Sequence, residues 1–203
     1  MNRPLLVLAC LLLQPLLFSC QDPETEVAPI ERIIPLQVGN QWLYEVSDYD
    51  GQGQVLSTYR FTRSVLRDTL INGSTWYLLN DNTLVQNSDQ GYVYYNRAGH
   101  EPVILYPNAT YGGIGYSYRY TDFLLWVLTT RTSQAAPVAN IAGNFTCYEY
   151  AIEKQYTRDG KLAFTVKEKN YVAPEKGIVR SDLYYADSDN LFRRQELVSY
   201  RLQ

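Results

Sequence analysis

The chain has 203 residues and a formal net charge of −3, so it offers no broad basic surface and a nucleic-acid-binding protein is excluded. Its length suits one domain with a sizeable core. The sequence holds 19 tyrosines and 6 phenylalanines. This composition favours β-strands with one wet face, because a tyrosine ring packs while its hydroxyl stays in water.

The first twenty residues have the layout of a lipoprotein export signal. Arg3 is followed by an apolar run over residues 5–18, and Cys20 comes directly after Ser19. The run is shorter than the roughly 20 apolar residues of a membrane-spanning helix, so it predicts a cleaved signal over residues 1–19. The alternative is a plain secretory signal in which Cys20 has no special role.

Lipid attachment at Cys20 would anchor the mature chain. The cysteine sulfur takes a diacylglycerol, and the freed amine takes a further acyl chain such as palmitate. Two or more chains hold a protein stably on a bilayer. We therefore predict a protein anchored in the outer membrane by its N-terminal lipid, on either the cell-surface or the periplasmic side.

Residues 20–34 are predicted to form an acidic, flexible tether. The run from Gln21 to Glu26 carries three acids and no base, and it has too little apolar surface to fold. It resembles the acidic export address that follows the lipidated cysteine in surface-exposed lipoproteins of the Bacteroidetes type. An ordinary linker would have the same composition, so both interpretations stay open.

Residues 35–203 have the pattern of one all-β domain with antiparallel strands. Trp42, Tyr44 and Val46 alternate, which places them on one face of a strand. Turn residues recur every 8–12 residues or so, a spacing typical of an antiparallel sandwich or barrel. Asn72-Gly73 and Asp159-Gly160 are strong hairpin signals. The final strand, over residues 191–202, is expected to pair with its predecessor.

Three stretches are less regular. Residues 106–115 contain a proline and three glycines and are expected to form a loose loop. The apolar run over residues 123–128 is either a buried strand or a short helix, because periodicity does not separate the two. Residues 134–139 have small, uncharged side chains and are expected to form a sheet edge or a loop.

Three short motifs resemble a broad group of Bacteroidetes-type lipoproteins of unknown function. Pro35-Leu36 with Gly39-Asn40, Trp42 and Tyr44 resembles their opening, residues 141–145 their middle, and Tyr171-Val172-Ala173-Pro174 with Gly177-Ile178-Val179 their closing motif. The resemblance implies an exported all-β domain on a lipid tether, with a curved sheet or half-barrel. It implies no activity and supplies no catalytic residue. From the residues themselves, Gly39 and Gly177 are expected to adopt backbone angles that other residues avoid.

No catalytic, cofactor-binding or metal-binding set is predicted. His100 is the single histidine and lies in a predicted turn, without the partners of a zinc site or a catalytic triad. The acidic turns around Asp50 and Asp187 only partly match a calcium loop. Cys147 is expected to be a small buried residue. As the single cysteine after Cys20, it leaves no disulfide within the domain.

These observations leave three hypotheses about function. The first is a binding or structural module whose exposed aromatic residues contact a glycan or a partner protein. The second is a carrier or assembly factor that encloses a hydrophobic ligand in a half-barrel. The third and weakest is a hydrolase with two carboxylates brought together by the fold. A filled core favours the first, an open apolar cavity the second, and a cleft with facing carboxylates the third.

Overall fold

The computed structural model describes residues 32–97, 99–108 and 113–203, without the side chains of residues 133 and 134. These described residues form twelve β-strands and no helix. The strands are β1 (Gln41–Tyr49), β2 (Val55–Ile71), β3 (Ser74–Leu79), β4 (Leu84–Ser88), β5 (Gly91–Asn96), β6 (Glu101–Pro107), β7 (Gly113–Arg119), β8 (Leu124–Asn140), β9 (Gly143–Arg158), β10 (Lys161–Ala173), β11 (Gly177–Tyr184) and β12 (Leu191–Arg201). Cys20, the predicted site of lipid attachment, and the predicted tether up to residue 31 lie outside the described residues.

One antiparallel sheet contains all the described strands, in the order β6-β5-β4-β3-β2-β1-β12-β11-β10-β9-β8-β7. Strands that follow each other in sequence pair, except β6 and β7, and the first strand pairs with the last. The edge strand β6 approaches β7 and β8 without pairing with them. The predicted fold class, a single antiparallel all-β domain with a meandering curved sheet, is therefore confirmed. The sheet is nearly closed into a barrel.

The two hairpins predicted from local sequence are confirmed. Asn72 and Gly73 join β2 to β3 with φ angles of 51° and 80°, and Asp159 and Gly160 join β9 to β10 with φ angles of 50° and 72°. Positive φ at both central residues is the requirement of a type I′ turn, whose twist matches that of the flanking strands.

Of two expectations about irregular segments, one was wrong and one is confirmed. Gly113 and Gly115 belong to β7 and not to a loop, because β8 pairs along the whole of β7. Residues 134–139 lie within β8, in the part after a register shift between Arg131 and Ala135 that pairs with β9 but not with β7, so the expected sheet edge is confirmed. Long-range pairing therefore overrides the weak strand propensity of both segments.

The apolar run over residues 123–128 is resolved in favour of a strand. Leu124 begins β8, and the run then alternates between the two faces of the sheet. Leu125 and Val127 are buried in the interior, whereas Trp126 and Leu128 are each about half exposed. A helix at this position would not produce this period of two.

The core occupies the interior of the barrel. Trp42, Tyr44 and Val46 are 2%, 2% and 1% exposed, so the alternation predicted for β1 is confirmed. Burial of an aromatic or aliphatic side chain stabilises a fold by roughly 1.5–3 kcal/mol. Ile33 and Ile34 are buried as well and belong to the same cluster. The packed region therefore begins before residue 35, the boundary expected from the sequence.

The opening and closing motifs meet in this core. Gly39 and Gly177 have φ angles of 94° and 103°, which confirms the expectation that both adopt a backbone conformation unfavourable for other residues. The Tyr44 hydroxyl donates a hydrogen bond to the carbonyl oxygen of Ile178 at 3.1 Å, and both residues are buried. Residues of the two motifs thus pack together although they are far apart in the sequence.

Candidate functional site

A groove of about 1090 Å³ lies at one end of the barrel. The segment before β1 and the C-terminal residues line one side of it, and β3, β4 and the turn after β4 line the other. We call this depression the polar groove. Most of its lining side chains are amides, hydroxyls or charged groups, among them Gln37, Tyr77, Gln86, Asn87, Glu175 and Gln203.

Asn40 fastens the wall of the polar groove that comes before β1. It is 1% exposed. Its Nδ2 donates to the carbonyl oxygen of Pro35 at 3.0 Å, and its Oδ1 accepts from the backbone N–H of Gln203 at 2.8 Å. One buried amide therefore joins the start of the domain to the last residue of the chain, which fixes the position of both beside the groove.

Asn87, on β4, lines the groove and carries a buried acceptor. Its Nδ2 donates to the carbonyl oxygen of Ile34 at 2.8 Å. Its Oδ1 is buried and has no hydrogen-bond partner among the described residues. An unsatisfied buried polar atom costs about 1–3 kcal/mol, so native structures usually supply a water or a ligand to such an atom.

The barrel interior itself is filled by side chains. Tyr92 stacks on Tyr106 with ring centroids 5.7 Å apart, and Tyr106 contacts Tyr150 at 4.9 Å. Beside Trp42 and Tyr44 a cavity of only about 10 Å³ remains, roughly the space that one water needs. Among the described residues there is therefore a filled core and no enclosed apolar cavity for an acyl chain.

Several polar groups on the inward face pair with each other, although Asn170 Oδ1 has no hydrogen-bond partner among the described residues. Lys154 Nζ lies 2.7 Å from Glu168 Oε2, and Asn170 Nδ2 donates to Glu168 Oε1 at 2.8 Å. Burial raises the pKa of Tyr44 and of Tyr92 well above the usual value. Protonated phenols and a carboxylate already held by an ammonium are suited to structural roles.

The acidic turns considered for calcium bind donors of the protein itself. Asp48 Oδ1 accepts from Arg193 at 2.6 Å, and this hydrogen bond lowers the pKa of Asp48. Asp50 Oδ1 accepts from the backbone N–H groups of Gln52 and Gln54. Asp187 and Asp189, in the turn after β11, accept from the backbone N–H of residue 165 and the side chain of residue 167, respectively. Within the described ranges no three His, Cys, Asp or Glu side chains cluster as metal ligands would.

The structure places the other residues considered in the sequence away from the polar groove. His100 is exposed in the turn between β5 and β6. Cys147 is fully buried on β9 as a free cysteine. Burial raises the pKa of its thiol to about 11, which makes it a poor nucleophile near neutral pH.

Sequence reasoning did not identify the residues of the polar groove. They come from five separate segments of the chain, and most are ordinary amide, hydroxyl or charged residues when considered alone. Asn40 was noticed only as part of a structural motif. In the part of the chain that the structure describes, no helix has the length and hydropathy needed to cross a bilayer.

Comparison with known proteins identifies a shared fold but no activity. No protein-family model matches the chain, and no curated protein sequence matches it. A crystal structure from Bacteroides fragilis, described as a candidate exported protein with a YmcC-like fold, matches with a TM-score of 0.51. It is 14% identical, and the match covers 85% of this chain and all of that one. A candidate lipoprotein from Parabacteroides distasonis matches with a TM-score of 0.49 and 11% identity, at the same coverage of both chains. The likeness to the first structure shows a shared fold.

Proposed function

We propose that this protein is a lipid-anchored, exported binding module whose polar groove holds a glycan. The observation that carries the proposal is the lining of the groove, in which Tyr77 lies among amides and hydroxyls. Carbohydrate ligands present many hydroxyls and flat apolar ring faces, which amide side chains and an aromatic ring respectively complement. Asn87, held by its hydrogen bond to the carbonyl oxygen of Ile34, is one of the amide residues of this lining.

The filled barrel supports this function over that of a hydrophobic carrier. An acyl chain needs an apolar cavity, whereas the groove is polar and the cavity beside Trp42 and Tyr44 is only about 10 Å³. The export signal ending at Ser19 and the lipid on Cys20 would hold the module at the outer membrane. The exported protein that shares the fold is consistent with that location.

The test is binding of the full-length protein to a panel of defined oligosaccharides, followed by calorimetric titration of any that bind. Asn87→Ala and Tyr77→Ala are expected to weaken binding about tenfold or more, since each removes a side chain that lines the groove. Asn144→Ala and Tyr59→Ala are matched controls, because Asn144 and Tyr59 are exposed residues that do not line the groove.

Either of two results would refute the glycan hypothesis. The first is that no saccharide on the panel binds. The second is that the control variants lose as much affinity as the groove variants, which would place the binding surface elsewhere. Protease treatment of intact cells addresses location separately: digestion of the domain places it on the cell surface, and protection until lysis places it in the periplasm.

A further inference from the structure

The described sheet fails to close at one place, between β6 and β7. These are the two ends of the strand order, and no other strand pairs with their outer edges. Side chains bridge the gap instead of backbone hydrogen bonds. The hydroxyl groups of Tyr94 on β5 and Tyr118 on β7 hydrogen-bond, and Tyr106 on β6 contacts Tyr150 on β9. We call this gap the edge slit.

A cavity of about 410 Å³ lies along the edge slit, within the size range of ligand sites. Both unpaired strands line it. Its apolar lining comes from Val93, Val103, Ile104 and Ile114. Asp89 lies on the turn between β4 and β5, and Glu101 lies at the start of β6, far along the strand from that turn. The charged lining is therefore acidic and contains no lysine or arginine.

The two edges of the slit differ in their capacity to pair. β6 contains Pro102 and Pro107, and because proline lacks a backbone N–H, prolines blunt a sheet edge. β7 contains no proline, so its free edge keeps its N–H donors and carbonyl acceptors. An unpaired edge of this kind is a template for an added strand.

The outer face beside β7 leaves room for the side chains of such a strand. Gly115 and Ser117 of β7 are exposed and small, and they lie opposite Leu128 and Trp126 of β8. Leu128 and Trp126 are 51% and 50% exposed. Because Gly115 and Ser117 are small, side chains of a strand added to β7 would contact Leu128 and Trp126.

We infer that the edge slit accepts an extended segment of a partner protein as an added strand on β7, and that this segment is apolar in the middle with a basic residue near each end. Backbone hydrogen bonds to β7 supply affinity. The apolar side chains of the segment pack against Val103 and Ile114 and fix its position along β7. The basic residues lie toward Asp89 and Glu101. Gln86, Ser88 and Asp89 line both the polar groove and the slit, but β7, on which the added strand pairs, does not line the polar groove, so the inference does not depend on the glycan hypothesis.

The probe is a short capped peptide with alternating valine and threonine between two terminal lysines. We expect it to bind the full-length protein and to slow amide exchange of β7 by about tenfold or more, since pairing protects backbone N–H groups. Two control peptides accompany it. One carries N-methyl groups on alternate amides, which removes its donors, and the other has glutamate in place of lysine. Neither is expected to bind.

A pair of charge variants tests the acidic lining. Glu101→Lys reverses an exposed charge in the slit and is expected to weaken binding of the lysine peptide about threefold or more. Asp68→Lys makes the same change at an exposed position of β2, which does not line the slit, and is expected to leave binding unchanged. Both positions are on the surface, so both variants are expected to fold.

Several outcomes would overturn the inference. They are absence of binding by the lysine peptide, equal binding of the N-methylated peptide, and protection that appears outside β6 and β7. Reversible dimerisation that protects β7 without any peptide would show that a second copy of this chain occupies the slit. That result would also contradict the inference that the slit binds a segment of a partner protein.

Discussion

The indole Nε1 of Trp42 donates a hydrogen bond to the carbonyl oxygen of Lys176 at 2.7 Å, across 134 residues of sequence. The bond joins β1 to the turn before β11 and brings the indole against Gly177. A Cβ atom on Gly177 would lie 3.1 Å from this same nitrogen. The close approach explains why the closing motif has a glycine at this position, in addition to its positive φ angle.

Gly177→Ala is expected to lower the free energy of unfolding by about 1–3 kcal/mol, because alanine at this φ angle is strained and its Cβ crowds the indole. Gly51→Ala is the matched control. A Cβ on Gly51 meets nothing within 4 Å, so this variant is expected to stay within about 0.5 kcal/mol of the native protein. Urea unfolding of both measures the difference, and equal stabilities would contradict the account of Gly177.

Buried tyrosines are expected to limit stability at high pH. Burial raises the pKa of Tyr92 above its ordinary value of about 10. Above pH 10 the unfolded chain releases a proton that the folded state retains, so the free energy of unfolding falls as pH rises. Tyr92→Phe is expected to reduce that slope by up to about 1.4 kcal/mol per pH unit. Urea unfolding at a series of pH values from 8 to 11 measures it, and an unchanged slope would contradict the prediction.

Two aspartates are expected to differ strongly in their contribution to stability. Asp182 has a 2% exposed side chain and lies 2.7 Å from Arg194 and 3.3 Å from Arg180. Asp182→Ala leaves two guanidinium groups without their carboxylate and is expected to cost about 3 kcal/mol. Asp189, paired with Lys167 at 2.8 Å, has an 86% exposed side chain, and its alanine variant is expected to cost less than about 1 kcal/mol. Thermal unfolding of both variants compares them, and a larger loss for Asp189→Ala would reverse the interpretation.

Cys20→Ser is expected to abolish lipid labelling and release the protein from the membrane, because serine supplies no thiol for the diacylglycerol. The measurement is metabolic labelling with a palmitate analogue, followed by separation of membrane and soluble fractions. Cys147→Ser provides the control. Because Cys147 lies in the folded domain, this variant is expected to keep its lipid labelling. Labelling that persists in Cys20→Ser would place the lipid elsewhere.

Local chemistry was enough to predict much of the fold. Asn72-Gly73 and Asp159-Gly160 specify their hairpins through backbone angles that few other residues adopt. The alternation of Trp42, Tyr44 and Val46 specifies which face of β1 is buried. In each case the prediction rests on the residues that themselves form the turn or the buried face.

The remaining features depend on residues far apart in the sequence. β7 was missed because Gly113 and Gly115 weaken strand propensity, and pairing with β8 compensates for that weakness. Asn87 was not selected because an isolated asparagine carries no signal until Ile34 is placed beside it. The edge slit is not predictable from the sequence for a related reason. β6 and β7 follow each other along the chain, and two such strands would ordinarily be expected to form a hairpin.

The pairing of the first strand with the last has a consequence for how the chain can be rearranged. Gln41 lies opposite Arg201, and Gln203 bonds Asn40. A circular permutant could therefore link residue 203 to residue 32 and open between β6 and β7. Its strands would follow one another along the chain in the order in which they lie in the sheet, from β7 to β6. Every strand pair would then be a local hairpin. Because local contacts speed folding, such a permutant is expected to refold faster than the domain in its natural order, as stopped-flow fluorescence would measure.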